Sequence, residues 1–151
     1  GKPEALLYPK RLPKKNKKQR FGVFYLLIDE EGSILFTTNK NEGLFANMDV
    51  LPSIGWHQEK EKLNYSPKII LKEQSLFNLN WEILEQKASH VFSHFTLNCT
   101  LVFFRIEKKR LNNLIINRKY RFVKKKDLNQ LATPSLIKKI LQAFKETKLN
   151  I

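Results

Sequence analysis

The sequence is most informative first through what it has little of. Its 151 residues include one cysteine, one methionine and five glycines, and acidic side chains number half the basic ones, 14 against 28. A lone cysteine, Cys99, excludes an intramolecular disulfide and a four-cysteine cluster. It lies in the apolar run 95–106, the setting of a buried thiol in a reducing compartment. No Cys-x-x-Cys or His-Glu-x-x-His is present, so the spacing of His90, His94 and Cys99 does not read as a metal site, and no cofactor is expected. No apolar run approaches the roughly 20 residues of a bilayer span. The opening residues Gly1, Lys2, Pro3 and Glu4 lack the order of a signal peptide. A soluble chain with no membrane partner is expected.

What the sequence has in excess is positive charge, +14 overall. Lysine supplies 22 of the 28 basic residues, so placement carries more information than the total. Residues 1–20 hold eight Lys or Arg against Glu4, and residues 105–126 hold ten against Glu107. The rest of the chain, with ten basic and twelve acidic residues, is nearly neutral. Two concentrated basic segments on a neutral body fit a phosphate backbone better than an evenly solvated surface. The favoured backbone contacts are Lys14, Lys15, Lys17, Lys18 and Arg20 in the first segment and Lys124, Lys125 and Lys126 in the second.

Residues 9–20 carry two prolines, seven positive charges and one aliphatic side chain, too little apolar surface to offset ordering. Residues 1–20 are therefore read as a linker or arm, and 21–151 as one domain. Residues 21–28 are apolar almost throughout, as in a strand covered on both faces. A turn at Asp29–Gly32 and an antiparallel partner at 33–38 follow. Between 39 and 66 glycines and prolines break every period, indicating a structured loop. A short helix is expected within 69–80, strands at 81–84, 95–106 and 120–123, and a polar loop at 107–119. A closing helix has Thr133 as N-cap and Pro134 at its first position, with Leu136, Ile137, Ile140, Leu141 and Phe144 on one face. Strands with irregularly placed helices and no βαβ repeat indicate an α+β fold.

Several of these signals occur together in one known arrangement. The basic Pro-Lys linker, the Asp-x-x-Gly hairpin, the segment 41–52, the tetrad Phe92, Ser93, His94, Phe95 and the Leu-Ala-Thr-Pro-Ser start of the closing helix resemble the C-terminal domain of bacterial adenine DNA glycosylases of the MutY family. The resemblance spans nearly the whole chain. It implies a Nudix-like sheet, mixed or antiparallel and flanked by helices, that performs no catalysis itself. Its Phe92, Ser93 and His94 loop would approach 8-oxoguanine paired with adenine, within base excision repair. An upstream catalytic domain of the same protein, with its iron–sulfur cluster, would excise the adenine. On this reading the chain is a detached piece of a longer protein, a monomer in the bacterial cytoplasm at the nucleoid, and its partners are that domain and duplex DNA carrying the mispair. Phe45 and Asp49 stand where relatives show tryptophan, and Asn39 or Lys40 where they tend to show arginine, as in a divergent member.

Those residue types suit the task. Oxidation of guanine turns N7 from acceptor to donor and adds a carbonyl oxygen at C8. A serine hydroxyl, with one donor and two lone pairs, can sense that exchange, which makes Ser93 the candidate reader. Phe92 is placed against sugar or base step, and His94 at a phosphate. The plainer alternative makes Phe92 core, Ser93 a turn former and His94 an ordinary polar residue.

Three other functions are compatible with parts of the sequence. A Nudix-type nucleotide hydrolase needs Gly-x5-Glu-x7-Arg-Glu-x-x-Glu-Glu, but counting from Gly43 the positions read Asp49, His57, Gln58, Glu61 and Lys62. A generic basic nucleic-acid-binding module fits the charge, yet no aromatic ribonucleoprotein motif, KH loop or zinc knuckle is visible. A spacer between the glycosylase and other proteins is the third.

Overall fold

The long apolar run after the basic segment becomes the central strand of the sheet. A computed structural model describes residues 18–39, 45–56, 76–111 and 120–145. Its strands are β1 (Lys18–Asp29), β2 (Ile34–Thr38), β3 (Asp49–Val50), β4 (Ser53–Ile54), β5 (Glu82–Val91), β6 (Phe95–Ile106) and β7 (Tyr120–Val123). The α-helices among the described residues are a single turn, α1 (Lys108–Leu111), and the amphipathic α2 (Ser135–Lys145), and Leu76–Asn78 and Lys125–Gln130 are 3-10 helical. Strand order is β3-β2-β1-β6-β5, with β4 also on β1 and β7 on β2. β1 and β6 run parallel, paired from Lys18 with Phe95 to Asp29 with Ile106, and the other pairings are antiparallel. The fold is a mixed-sheet α+β domain, as the strand and helix pattern indicates.

Both faces of β1 are covered, which is why its sequence does not alternate. Phe24, Leu26 and Ile28 face one core with Phe95, Leu97, Cys99 and Leu101 of β6, closed by Leu136, Ile137, Ile140 and Phe144 of α2. Burying each of these large side chains is worth about 1.5–3 kcal/mol relative to leaving it in water. Val23, Tyr25 and Leu27 face the other core with Val102, Leu79 and Trp81. There the Trp81 ring meets Tyr25 edge-on at 4.9 Å, and its Nε1–H donates to the Leu76 carbonyl at 3.0 Å.

The β1–β2 turn forms as the Asp-x-x-Gly signal requires. Asp29 Oδ1 accepts from the backbone N–H groups of Glu31 and Ser33, both at 2.9 Å. Gly32 takes the left-handed backbone, φ 85°, that a side chain would resist.

Two short strands, β3 and β4, lie inside the stretch 39–66 read as loop, and four further assignments differ from the sequence reading. β1 begins at Lys18, three residues inside the segment read as an arm, because backbone pairing with Phe95, Thr96 and Leu97 is indifferent to side-chain charge. β5 runs on to Val91, well past Leu84. It is the last strand in the sheet order and exposes Glu85, Lys87 and Ser89, so this stretch carries no apolar signal. Leu76–Asn78 is a 3-10 turn with Phe77 and Asn78 left-handed, not an α-helix, and residues 69–75 lie outside the described ones. The expected polar loop after β6 begins instead with α1.

Candidate nucleic-acid interface

β5 and β6 are joined by three residues, Phe92, Ser93 and His94, with the Phe92 N–H donating to the Phe95 carbonyl at 2.8 Å. The link is short, and the Ser93 and His94 side chains are exposed. Phe92 turns inward and is half-buried. Its ring centroid lies 4.7 Å from Phe95, 5.8 Å from Phe45 and 4.7 Å, edge-on, from His90. Of the two placements read from the sequence, against sugar or base step and in the core, the packing shows Phe92 set against the core beneath Ser93 and His94, with part of its ring exposed. Phe45 sits in a turn at φ 61° and also meets Trp56, with centroids 6.1 Å apart. A non-glycine residue there stores about 1–2 kcal/mol, held in place by this packing.

Cations flank this aromatic row. The Arg20 guanidinium carbon stands 4.0 Å above the Phe95 centroid, and Nη1 donates to the Trp56 carbonyl at 3.3 Å. Such a stack is worth about 0.5–1 kcal/mol at an exposed site. Gly22 allows Trp56 this close: a Cβ on it would stand 2.8 Å from the indole Cδ1. Asn98 Nδ2 donates to Gln19 Oε1 at 2.9 Å and to the Arg20 carbonyl at 3.2 Å, fixing the strand that carries the arginine. Lys18 is exposed at the start of β1.

On the other flank Lys139 of α2 reaches across to β5. Its Nζ lies 3.1 Å from His90 Nδ1 and 3.5 Å from the Ser89 carbonyl. An ammonium group only donates, so His90 Nδ1 accepts and the imidazole proton sits on Nε2. Partial burial, and then the charge of Lys139, hold the His90 pKa below its ordinary value, so the ring is neutral. Cys99 lies beneath the sheet, its thiol pushed up to about 12 by burial, which leaves it inert. His90, His94 and Cys99 thus occupy three different environments.

Lys124, Lys125 and Lys126 are exposed, but at the far end of the sheet. Val123 pairs with Ile34, and Ile34 with Ile28, whereas the tip adjoins Lys18 at the opposite end of β1. Strand rise of about 3.3 Å per residue puts those ends roughly 35 Å apart. Lys18 and Arg20 therefore do not share a patch with Lys124, Lys125 and Lys126. At the far end Lys108 Nζ pairs with Glu31 at 2.7 Å, and its backbone N–H donates to Glu30 at 3.1 Å. The hydrogen bond and charge of Lys108, with a smaller contribution from Lys124, hold the Glu31 carboxyl below its usual range. Lys14, Lys15 and Lys17 lie outside the described residues.

Of the positions matching a hydrolase motif, Asp49 is committed elsewhere. Its carboxylate receives Arg121 Nη2 at 2.5 Å and the Thr38 hydroxyl at 3.2 Å, and it sits on a strand. His57, Gln58, Glu61 and Lys62 lie outside the described residues.

Sequence reasoning missed Phe45, Trp56, His90 and Lys139 as parts of this surface. Only the interleaving of His90, Phe92 and Phe95 on a hairpin hinted at the row. Nothing local pointed to Lys139, because helix packing alone brings it to β5.

Comparison with solved structures shows the fold shared widely at low identity. The C-terminal domain of mouse MUTYH, solved in complex with human PCNA, superposes with a TM-score of 0.61 at 11% identity, covering 84% of this chain and 88% of that one. The MutT protein from Methanosarcina mazei Go1 gives 0.59 at 15% identity, covering 89% and 99%. The NUDIX domain of Shewanella oneidensis NrtR, solved with ADP ribose, gives 0.57 at 14% identity, covering 97% of each. Comparison with curated proteins gives no match. Residues 23–143, from the buried half of β1 into α2, match the model of the NUDIX domain, and the chain belongs to that family.

Proposed function

We propose that this chain is the non-catalytic, lesion-reading domain of an adenine DNA glycosylase, touching 8-oxoguanine opposite adenine with the β5–β6 hairpin tip. One observation carries the reading: Ser93 and His94 project from a hairpin whose base is locked by Phe92, Phe95 and Phe45, with Arg20 and Lys18 beside it. A reader that distinguishes a donor from an acceptor needs a hydroxyl in a fixed position, because positional slack lets either base find a partner. A mis-satisfied polar group in a desolvated contact costs on the order of 1–3 kcal/mol, about tenfold or more in affinity. Lys18 and Arg20 supply sequence-independent attraction at the tip. Lys124, Lys125 and Lys126, roughly 35 Å away by strand rise, serve as a second contact on the same duplex, about one helical turn along it. The adenine is removed by a catalytic domain elsewhere in the whole protein.

The test is binding of the chain to 8-oxoguanine:adenine and guanine:adenine duplexes. The native chain favours the lesion about tenfold, and Ser93→Ala with His94→Ala brings the ratio close to one while the unfolding midpoint stays put. Equal affinity of the native chain for both duplexes sinks the reading, and equal binding of RNA favours a generic nucleic-acid module instead.

Family membership favours one second reading, hydrolysis of a nucleoside diphosphate derivative. The residues fit it poorly. The motif positions offer two carboxylates, Asp49 and Glu61, and the first is paired with Arg121. Magnesium-dependent turnover of an oxidised guanosine triphosphate would establish that activity.

A further inference from the structure

Lys139 occupies an unusual place on its helix. At 100° per residue it lies about 60° from Leu136, at the margin of the buried stripe, so its stem runs along the edge of α2 toward β5. Both partners of its ammonium group, the His90 imidazole and the Ser89 carbonyl, are neutral. Among the described residues no carboxylate comes within ion-pair distance of it. Its charge is therefore held in position and uncompensated, whereas Lys108 is matched by Glu31.

The contacts from Arg20 to Phe95, Phe92, His90 and Lys139 form one continuous row, each step under 5 Å. A cation stands at each end, and the Ser93–His94 tip rises from the middle. The two charges lie within about 20 Å, roughly six nucleotides of a duplex at 3.4 Å each. We propose that Lys139 and Arg20 are paired phosphate contacts that grip one DNA strand on either side of the tip, with His90 as the positioning residue that aims Lys139. The pairing rests on the lesion-reading function above and assigns a backbone contact to the helix, outside both basic segments of the sequence. Its physical sense is registration. A reader hairpin gripped on one side pivots about that contact, whereas two contacts straddling it hold the base edge at a fixed distance from Ser93.

The experiment measures binding of the chain to both duplexes across a salt series at pH 8, where His90 is neutral with or without Lys139. Lys139→Gln keeps the stem and a hydrogen-bond donor, and is expected to lower the slope of log affinity against log salt by about 0.9 on both duplexes. Lys139→Arg restores the slope, and Lys108→Gln leaves it unchanged. An unaltered slope in Lys139→Gln overturns the assignment, as does an equal loss in Lys108→Gln. The lesion preference is a separate readout: if the native ratio is one while Lys139→Gln still lowers the slope, lesion reading fails and the paired grip stands. Absence of salt-dependent binding overturns both.

Discussion

The two ends of β1 carry similar charge and use it in opposite ways. At the turn end, cations meet carboxylates: Lys108 holds Glu31, and the Lys124 charge acts on the same group. At the tip end, Lys139 is seated on an imidazole and a carbonyl, and Arg20 on an aromatic ring and a carbonyl. The ion pair offsets the charge of Lys108, whereas Lys124, Lys125 and Lys126 stay exposed beside it, and the contacts at the tip end fix where the charges of Lys139 and Arg20 stand. Net charge alone therefore says little about where a basic protein binds, because the setting of each cation differs.

The comparison can be broken most forcefully at its aromatic base. Phe95 is buried under Arg20 and against Phe92, so Phe95→Ala is expected to cost about 3–5 kcal/mol in urea unfolding and to weaken duplex binding with it. An unchanged midpoint would mean that the tip does not depend on its row. At the other end, Asp29→Ala removes the buried acceptor of two backbone N–H groups at the turn, with an expected loss of about 1–3 kcal/mol. Because that turn serves the fold and not the interface, the salt slope of binding should hold; a shallower slope would extend the contact surface to the turn. Glu31→Gln, at an exposed ion pair, is expected to leave the unfolding midpoint unmoved. A measurable shift would show that this pair bears on the fold.

Much of the fold was legible because the cues were local. The run 21–28 announced a doubly covered strand, 95–106 and 120–123 were placed at their observed bounds, and Asp29 with Gly32 marked the hairpin turn. α2 begins within a residue or two of its expected start and buries Leu136, Ile137, Ile140 and Phe144 as its period requires. The far half of β5 was not legible. A strand at the sheet margin, polar on one face, looks like loop when its partner cannot be seen. At the candidate site Ser93 and His94 are exposed between β5 and β6, and Phe92 is half-buried against the core. The exposed lysines 124–126, grouped with the arm by charge, stand at the opposite end of the central strand from Lys18 and Arg20.

By itself the order of residues determined that 21–28, 95–106 and 120–123 become strands, where the chain turns sharply after Asp29, and which face of the closing helix is buried, since each depends on neighbours within a few positions. Tertiary structure alone decided that β1 lies parallel to a strand some eighty residues later, that Arg20 settles on Phe95, and that Lys139 crosses to His90. Those pairings follow from how the sheet and helix close around a shared core. Closure sets which distant side chains meet, and short-range pattern carries no record of it.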